Sequence, residues 1–506
     1  MDGALTHAGT AVRGRRVVGW HDPEDVFAAL FADEAAGDVA WLDDSAGEGW
    51  SYLAASAGSV TAWPDGVFAG LAGWAGLAGL RGSAAAGEAD DDLPPGLAFR
   101  LGVVGWIPHD AWPETVPLHH APDAADPDAA DTVPAAFLRV ERLLAFDHAS
   151  SAVWAVARAG DPWLDAVEGV LAGVLPRSRR AGAATTGAPV AGDTGSVAGV
   201  PGPVAGDLGC ASAPTWRHDD DAYLALIRSC QESIRRGDAY QLCLTNEARV
   251  PGRVDPVRVH LALRALSPTH HGGFLRVGGT VLVSASPERF VEVDAGGTLR
   301  TLPIKGTRPR HADPAADERA RAELLASDKE RAENVMIVDL MRNDLSRVCV
   351  LGSVRVTSLF AVEAYAQVHQ LVSRVEGELA PGVTAVDAVR ALFPAGSMTG
   401  APKSAAVGIL RALERGPRGV YAGAFGWFGD DGRADLAMVI RSVVVDSAGR
   451  ATVGAGGGIT TLSVPEEELE EVRVKAAPLL AAVAAGRIAE RAHGLPSSLP
   501  RAAVGR

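Results

Sequence analysis

A low-complexity segment interrupts the chain and restricts the folds that are open to it. Residues 178–214 contain almost no large apolar side chains, so they cannot build a hydrophobic core. Their composition predicts a flexible linker over 178–216. This linker separates an N-terminal region, 1–177, from a longer second region, 217–486, and a C-terminal tail follows at 487–506.

The second region mixes strand-like and helix-like patterns in irregular order. Apolar residues recur at helical spacing between Asp220 and the Gly237–Asp238 turn, and again within 327–345. Strand-like runs occupy 274–294 and 437–446. Strands and helices without a regular repeat favour an α+β fold over a repeating βαβ fold.

The bulk composition argues against several classes of function. A chain of 506 residues with 47% hydrophobic residues can bury a large core. Its net charge of −15 argues against nucleic-acid binding, which needs a basic surface. An anionic substrate would therefore require a local cluster of positive groups.

No segment resembles a membrane span or an export signal. The longest apolar stretch, 66–80, is shorter than the roughly 20 residues that a spanning helix needs, and it predicts a buried segment. The N-terminal sequence lacks an apolar core followed by a cleavage site. The four cysteines show no zinc-binding spacing, which predicts reduced thiols and a cytoplasmic protein.

Lysine is scarce in this chain, which has 47 basic residues but lysine only at 305, 329, 403 and 475. All four lie in the second region. A bias of the genome towards arginine codons explains the scarcity, and four leftover codons remain one interpretation. The alternative is that each of these positions requires lysine.

Two pairs of glutamates lie beside two of these lysines. Glu330 and Glu333 are three residues apart on one predicted helix, and Glu468 and Glu471 repeat the spacing on another, so each pair points from one helix face. Magnesium is commonly held by one or two carboxylates, waters and the substrate's own oxygens. A solvated helix face is the simpler interpretation of either pair alone.

Two glycine-rich stretches do not match nucleotide-binding loops. Residues 396–404 have Pro402 where the Walker pattern needs glycine, and residues 454–459 end in Ile459 where a GxGxxG pattern needs glycine. The second stretch can still offer backbone N–H groups to a carboxylate. A turn between two strands is an equally good interpretation of it.

Eight blocks, in order and at consistent spacing, resemble the chorismate-utilising enzymes. This group includes anthranilate synthase component I, aminodeoxychorismate synthase component I, and isochorismate and salicylate synthases. The similarity covers about residues 217–485, and residues 1–177 resemble the family's N-terminal region more loosely. The blocks are SPERF (286–290), PIKGTRPR (303–310), DKERAENVMIVDLMRNDL (328–345), VHQLVSRVEGEL (368–379), FPAGSMTGAPK (393–403), YAGAFGW (421–427), IRSVVV (440–445) and GAGGGIT (454–460).

The resemblance implies an α+β sandwich like that of anthranilate synthase component I. Two antiparallel β-sheets, built from both halves of the chain, should enclose the site, with helices on the outside. The family also uses Mg²⁺, which we expect here as the cofactor.

Lys305 distinguishes between members of the family. Anthranilate and isochorismate enzymes generally have alanine at this position, whereas aminodeoxychorismate synthases have lysine, and the block resembles the latter. The resemblance implies that the lysine amine adds to C2 of chorismate and that ammonia then aminates C4. We expect Arg308, a metal ion and apolar walls to lower the pKa of Lys305, because an amine attacks only when it is deprotonated. Arginine stays protonated and could not replace it.

Further roles carry over from the matching blocks. Glu288 corresponds to the general acid for the C4 hydroxyl. Glu333 and Glu471 correspond to primary magnesium ligands, with Glu330 and Glu468 as outer partners. Lys403 is expected to support the substrate, and Lys475 the metal site. The expected substrate-binding residues are Gly306, Thr307, Arg308, Gln241, Ser397, Tyr421, Arg441, Gly454, Ala455, Gly456 and Lys475.

Two glutamines refine the expected reaction. Gln241 stands where isochorismate and salicylate synthases have a lysine that activates water, and an amide cannot act as that base. Gln370 stands where many relatives have a histidine, which the anthranilate enzymes use around pyruvate elimination. Both differences favour amination at C4 over hydration or anthranilate formation.

The expected partners follow from the same reaction. The chain lacks a glutaminase nucleophile block, so we expect a separate glutamine amidotransferase subunit to supply ammonia, and a lyase to act on the product downstream. The alternatives are an anthranilate synthase component I and a non-catalytic binding subunit. In some relatives the N-terminal region binds tryptophan, and Asp44 and Ser45 match that motif only loosely.

Overall fold

The computed structural model of this chain describes residues 11–63, 65–74, 92–117, 133–174, 213–365 and 368–488. The predicted linker therefore lies outside the described residues as far as residue 212. Its last two residues, Thr215–Trp216, form a short strand that pairs with Ala248 and Arg249. The predicted tail lies outside the described residues from residue 489 onwards.

Within these ranges the chain forms strands β1 (Val12–Val17), β2 (Val39–Asp43), β3 (Trp50–Ala55), β4 (Ser59–Val60), β5 (Gly102–Ile107), β6 (Ala136–Val140), β7 (Arg142–Asp147), β8 (Ala152–Arg158), β9 (Thr215–Trp216), β10 (Gln241–Val250), β11 (His271–Val277), β12 (Thr280–Ser286), β13 (Arg289–Val293), β14 (Thr298–Thr301), β15 (Ile304–Pro309), β16 (Arg355–Ala364), β17 (Val368–Glu378), β18 (Gly400–Ala401), β19 (Ala424–Gly429), β20 (Ala434–Met438), β21 (Ser442–Val445) and β22 (Ala451–Ile459).

The helices of the described residues are α1 (Pro23–Leu30), α2 (Val67–Trp74), α3 (Trp163–Ala172), α4 (Asp220–Arg236), α5 (Pro256–Leu266), α6 (Pro314–Ala326), α7 (Asp328–Ser346), α8 (Ala385–Leu392), α9 (Lys403–Glu414) and α10 (Pro465–Ala485). Short 3₁₀ turns cover Glu34–Ala36, His109–Glu114 and Gly396–Met398.

Two antiparallel sheets form the centre of the molecule. The first has the order β1-β8-β7-β3-β2-β11-β12-β21-β22-β10-β18, with β9 beside β10. The second has the order β15-β17-β14-β13-β20-β19-β5-β6-β4, with β16 beside β17. In each sheet the strands of the N-terminal region form one block and those of the second region another, and the two blocks pair at one boundary, β2 with β11 and β5 with β19. This confirms the expected α+β sandwich built from both halves of the chain.

The apolar core has three layers, which follow from the two faces of each sheet. Trp106, Leu275 and Phe425 belong to the cluster that both sheets bury between them. A second cluster joins the outer face of the first sheet to α4, α5, α9 and α10. A third joins the outer face of the second sheet to α7 and α8. The helices thus cover the outside of the sandwich, as expected.

Local sequence signals determine the ends of helices α4, α7 and α10. The Asp219 side chain accepts a hydrogen bond from Ala222 N and begins α4, which ends at left-handed Gly237. Ser327 begins α7 by accepting from Glu330 N. Pro465 opens α10, and three glutamates follow in its first turn, where the positive end of the helix dipole favours them.

The apolar stretch 66–80 is described as far as residue 74. Within it, Val67, Phe68 and Leu71 of α2 are buried against the outer face of the second sheet, as predicted for a buried segment. The remainder, 75–80, lies outside the described residues. Among the helices that the structure describes, none has the length and apolarity to cross a membrane.

Lys403 joins three helices. Its Nζ donates to Asp344 Oδ2 of α7 at 2.7 Å and to the carbonyl of Leu392, the last residue of α8, at 2.7 Å. The side chains of Lys403 and Asp344 are only 11% and 3% exposed. Because burial penalises each charge alone, the two groups depend on each other.

We predict that Lys403→Met lowers the free energy of unfolding by about 3–5 kcal/mol, because it leaves the Asp344 carboxylate buried without a counter-charge. Urea denaturation followed by circular dichroism measures this change. The double variant Lys403→Met/Asp344→Asn should recover a large part of the loss. A single variant within about 1 kcal/mol of the wild type would contradict this role.

Candidate active site

One cavity of about 540 Å³ collects nearly all of the residues that the sequence singled out. Its walls come from β15, α7, the 3₁₀ turn Gly396–Met398, β22 and α10, together with the segment that links β12 to β13. The predicted site residues that line it are Glu288, Lys305, Gly306, Thr307, Arg308, Glu330, Glu333, Ser397, Tyr421, Arg441, Gly454, Ala455, Gly456, Glu468, Glu471 and Lys475.

A β-bulge presents Lys305 to the cavity. Ile304 pairs with Val372 and Thr307 pairs with Gln370, so three steps along β15 correspond to two along β17. The extra residue falls at Lys305 and Gly306. Gly306 has φ +81°, and a Cβ there would lie 2.7 Å from Leu324 and 2.9 Å from the Glu330 carboxyl carbon. Glycine is therefore required at the bulge, and the bulge redirects the lysine.

The expectation that the pKa of Lys305 is lowered is wrong for the protein as it stands. Burial lowers this pKa, but the carboxyl groups of Glu333, Glu288 and Glu471, together with the Cys243 thiol, outweigh burial and hold the pKa above its ordinary value.

The positive charge of Arg308 is paired with two carboxylates. Its guanidinium faces Glu323 and Glu330 at 3.2 and 3.7 Å. The ammonium of Lys305 thus sits among carboxylates, which is the reverse of the expected environment.

Glu288 has the environment that a general acid needs. Burial raises the pKa of its carboxyl group above the ordinary value, although Lys305, the Ser397 side chain and Lys475 each act to lower it. Glu288 lies between β12 and β13, where its carbonyl accepts from Met438 N at 3.0 Å. A raised pKa keeps a larger fraction of the carboxyl group protonated near neutral pH.

The two glutamate pairs face the same cavity from α7 and α10. Burial raises the pKa of Glu333, and the charges of Glu330 and Glu468 add to the effect. Burial likewise raises the pKa of Glu468, with a contribution from Glu471. The carboxylates are therefore close enough to repel one another, which argues against the interpretation as solvated helix faces.

This donor set fits a hard divalent cation. A Cβ at Gly457 would lie 3.1 Å from Glu468 Oε2 and 3.7 Å from Glu471 Oε1, so the missing side chain leaves room beside two carboxylates. Among the described residues, no three acidic, histidine or cysteine side chains converge on one point. Magnesium needs only one or two carboxylates when water and substrate oxygens complete its shell.

Lys475 connects the acidic wall to the glycine-rich strand. Its Nζ forms an ion pair with Glu471 Oε1 at 2.5 Å and donates to the carbonyl of Gly456 at 2.8 Å. Lys475 therefore contacts both an expected metal ligand, Glu471, and the expected substrate-binding backbone at Gly456.

The glycine-rich stretch forms part of strand β22 rather than a turn, so the turn interpretation is wrong. A Cβ at Gly454 would lie 2.2–2.6 Å from three ring atoms of Tyr421, and a Cβ at Gly458 would lie 2.2 Å from Gln241 Nε2. Side chains from elsewhere thus lie directly on this strand. The glycines are needed for that close approach.

Arg441 offers an uncommitted positive charge. It lies between β20 and β21 with φ +50°, a conformation that non-glycine residues rarely adopt. Burial lowers the pKa of its guanidinium, while Tyr421 and Glu471 act in the opposite direction. Within the described part of the chain, its side chain has no hydrogen bond or ion pair, so the guanidinium is available to an anion in the cavity.

Two expectations need adjustment. Gln241 does not line the cavity. Its amide lies against Gly458, which is a lining residue, and its Oε1 has no hydrogen-bond partner within the described residues. Lys403 does not line it either, because its ammonium holds α7 to α8 and α9. Gln370 lines the cavity on β17, opposite Thr307.

Several lining residues were not assigned from the sequence, and four of them are glycine, cysteine or lysine. Gly457 and Gly458 extend the glycine run by two positions, and Cys243 shares the strand face of Gln241, two residues away. Lys329 stood among the four lysines without a role. The run of glycines, the period of two and the scarcity of lysine were the signals that could have found them.

Residues 37–481 match the family described as chorismate binding enzyme. The chain belongs to this family. The match contains every residue that lines the cavity, so the cavity is the candidate active site of a chorismate binding enzyme.

Similar proteins carry two names. Aminodeoxychorismate synthase from Streptomyces pristinaespiralis is 38% identical over 492 residues, which cover 91% of this chain and 64% of that protein. The protein of the same name from Streptomyces griseus is 41% identical over 434 residues, which cover 84% and 55%. Anthranilate synthase component 1 from Thermus thermophilus is 39% identical over 398 residues, which cover 78% and 79%. The chain thus spans less than two thirds of both aminodeoxychorismate synthases.

Solved structures confirm the expected fold. Anthranilate synthase component I from Streptococcus pneumoniae superposes with a TM-score of 0.66 at 25% identity, over 85% of this chain and 92% of that one. MenF, the menaquinone-specific isochorismate synthase from Escherichia coli, gives a TM-score of 0.64 at 16% identity, over 94% and 95%.

We predict that Gly454→Ala lowers the free energy of unfolding by about 1–3 kcal/mol, because the new methyl group must displace the Tyr421 ring. Gly169→Ala is the matched control. Gly169 lies within α3 with no atom near its absent Cβ, so alanine there should leave stability unchanged or raise it by up to about 1 kcal/mol. Urea denaturation compares the two. Equal stability of both variants would contradict the contact.

Proposed function

We propose that this protein is an aminodeoxychorismate synthase, which aminates chorismate at C4 with ammonia to give 4-amino-4-deoxychorismate, a precursor of p-aminobenzoate and folate. The observation that carries the proposal is the bulge at Lys305, which presents a primary amine to the same cavity as the protonatable carboxyl group of Glu288. An alanine at this position would offer no nucleophile.

Substrate binding follows from the distribution of charge. Chorismate carries two carboxylates, and Arg441 offers a guanidinium without a partner in the described part of the chain. Tyr421 and the backbone N–H groups of the Gly454–Gly456 strand supply further donors beside it. The Thr307 and Ser397 side chains line the cavity as smaller polar groups.

The chemistry then takes two allylic displacements. The Lys305 amine, once deprotonated, forms a bond to C2 of chorismate, the ring double bonds shift, and the C4 hydroxyl leaves as water with a proton from Glu288. Ammonia next forms a bond to C4, the double bonds shift back, and the C2–N bond to Lys305 breaks. One ammonia enters and one water leaves; the nitrogen added at C4 releases a proton that restores the Glu288 carboxyl group, and the lysine is regenerated.

Glu333 and Glu471 would hold a magnesium ion, with Glu330 and Glu468 as outer partners. When bound, this ion supplies positive charge that balances a substrate carboxylate and the glutamates around Lys305. Lys475 orients Glu471 through their ion pair, so it keeps one of these ligands in place.

The ammonia requires a source and the product requires a consumer. A separate glutamine amidotransferase subunit is the expected source, and an aminodeoxychorismate lyase, acting in the cytoplasm, is the expected consumer. Both belong to the proposal through the resemblance. The reaction itself needs only chorismate, Mg²⁺ and free ammonia.

An anthranilate synthase component I is the second candidate. The Thermus thermophilus protein of that name is 39% identical over most of its length. Two residues of the cavity argue against it. In anthranilate formation ammonia attacks C2 directly, without a covalent step, so Lys305 would have no role as a nucleophile. Gln370 argues against it because an amide cannot transfer a proton during pyruvate elimination. A non-catalytic binding subunit is the least favoured alternative, because the ionisable groups of the site are present together.

We predict that Lys305→Ala abolishes conversion of chorismate to a compound that an added aminodeoxychorismate lyase turns into p-aminobenzoate. The rate should fall by at least about 100-fold, because the covalent step is lost. Lys305→Arg is the matched control and should be equally inactive, since it keeps the charge but not the nucleophile.

The assay contains chorismate, magnesium and an ammonium salt, and chromatography with mass detection identifies the product. Activity in Lys305→Arg near that of the wild type would show that only the charge matters, and would contradict covalent catalysis.

We predict that removal of magnesium with EDTA stops turnover and that Glu471→Gln raises the magnesium concentration needed for half-maximal activity by at least about tenfold. Glu470→Gln is the matched control, because Glu470 is the exposed neighbour on α10 and pairs with Arg473. Magnesium titration of initial rates measures both. Equal magnesium dependence of the two variants would contradict the assignment of Glu471.

A further inference from the structure

A buried ion pair lies behind the wall of the cavity. Arg418 donates from Nε to Glu414 Oε2 at 2.8 Å and from Nη2 to Glu414 Oε1 at 2.7 Å. Both side chains are only 3% exposed, and neither lines the cavity. Buried charges persist where every donor is satisfied, so the other partners of this pair are informative.

The remaining donors of Arg418 reach two elements that do line the cavity. Nη1 donates to the carbonyl of Met398 at 2.6 Å, and Nη2 donates to the carbonyl of Cys243 at 2.8 Å. One guanidinium therefore bridges the 3₁₀ turn Gly396–Met398 and strand β10. A planar fork with fixed N–H directions holds such acceptors at a defined separation.

Glu414 extends the same bridge along β10. Its Oε1 accepts from Thr245 N at 2.9 Å and from Thr245 Oγ1 at 3.0 Å. Thr245 pairs with Gly456, whose backbone lines the cavity. Both members of the ion pair thus anchor backbone that forms the cavity wall, although neither of them touches the cavity.

Ser397 connects this bridge to the reaction. It precedes Met398 in the 3₁₀ turn and lines the same cavity as Glu288, where its side chain acts to lower the Glu288 pKa. The Met398 carbonyl that Arg418 holds is therefore one residue away from a side chain that acts on the proposed general acid.

We propose that Arg418 is a positioning residue, which fixes Ser397 against Glu288 by holding the Met398 carbonyl, and that Glu414 fixes Arg418 in turn. This inference rests on the proposed function of Glu288 and adds a group outside the cavity to the set that controls it. A purely structural role is the alternative, because a buried ion pair also serves stability.

The test is a double-mutant cycle between Arg418→Lys and Ser397→Ala. Lysine keeps the charge at 418 but cannot serve Glu414, Met398 and Cys243 together. Each single variant should lower kcat by about 10–100-fold with KM within about threefold, because the acid is misplaced while binding is kept. The double variant should be no slower than the slower single variant.

The pH dependence of kcat gives a second readout that stability alone would not change. The Ser397 hydroxyl favours the charged form of Glu288, so its loss raises the Glu288 pKa and moves the alkaline limb of kcat to higher pH. Lys305 and Lys475, the charged groups that act on Glu288, are unchanged in these variants. Arg418→Lys should shift this limb in the same direction as Ser397→Ala.

Arg139→Lys is the matched control. Arg139 forms a two-pronged pair with Asp430, with both N–O distances 2.8 Å, and it does not line the cavity. It should retain the kcat and pH profile of the wild type. If Arg418→Lys does not fold, Glu414→Gln replaces it with an isosteric change. Failure of both to fold would contradict the proposal, because the pair would then serve the fold alone.

Rates are followed as loss of chorismate, which any reaction of chorismate shares, and products are identified separately. Rate losses that multiply in the double variant, or a folded Arg418→Lys enzyme with wild-type kcat, would overturn the role of Arg418. Anthranilate as the wild-type product would overturn amination at C4, but it would leave the comparison between the variants intact.

Discussion

The surrounding structure must hold several opposite charges close together in one cavity. Four glutamates from α7 and α10 face the amino groups of Lys305 and Lys475 within about 540 Å³. Burial alone would disfavour every one of these charges. Together they shift one another: the surrounding carboxylates hold the pKa of Lys305 above its ordinary value, and Lys305 counteracts the rise that burial causes in the pKa of Glu333. The sandwich holds both helices against the sheets at the separation that this balance needs.

Backbone geometry directs the reactive groups into that cavity. One extra residue in β15 redirects Lys305, and the glycines of β22 let the Tyr421 ring and the Gln241 amide lie directly on the strand. Arg441 itself adopts the left-handed conformation between β20 and β21. Each of these features departs from regular structure. Such departures are common where a side chain must reach a substrate rather than the core.

Features that depend on residues close together in the chain could be predicted from the sequence. The spacing of Glu330 with Glu333 and of Glu468 with Glu471 placed each pair on one helix face, and both pairs line the cavity. The irregular order of strands and helices predicted the fold class. Contacts between distant segments were beyond reach. The glycine stretch was open to interpretation as a turn because the Tyr421 ring that covers it is 33 residues away in sequence.

Charge environments were also misjudged. The pKa of Lys305 depends on four groups from four different elements, and the motif around the lysine contains none of them. Lys403 resembled a substrate-site residue, but its partner Asp344 lies 59 residues away in the chain and holds it in the helical layer. The contacts of Arg418 could not be predicted from the sequence, because its acceptors on β10 and the 3₁₀ turn are distant in the chain.

The most direct test of the account is the position of nitrogen in the product. The protein is incubated with chorismate, Mg²⁺ and ¹⁵N-labelled ammonium, and carbon–nitrogen couplings in the purified product are measured by NMR. We predict ¹⁵N bonded to C4 of a product that retains its enolpyruvyl group. A label bonded to C2, with or without loss of pyruvate, would contradict amination at C4 and the role assigned to Lys305.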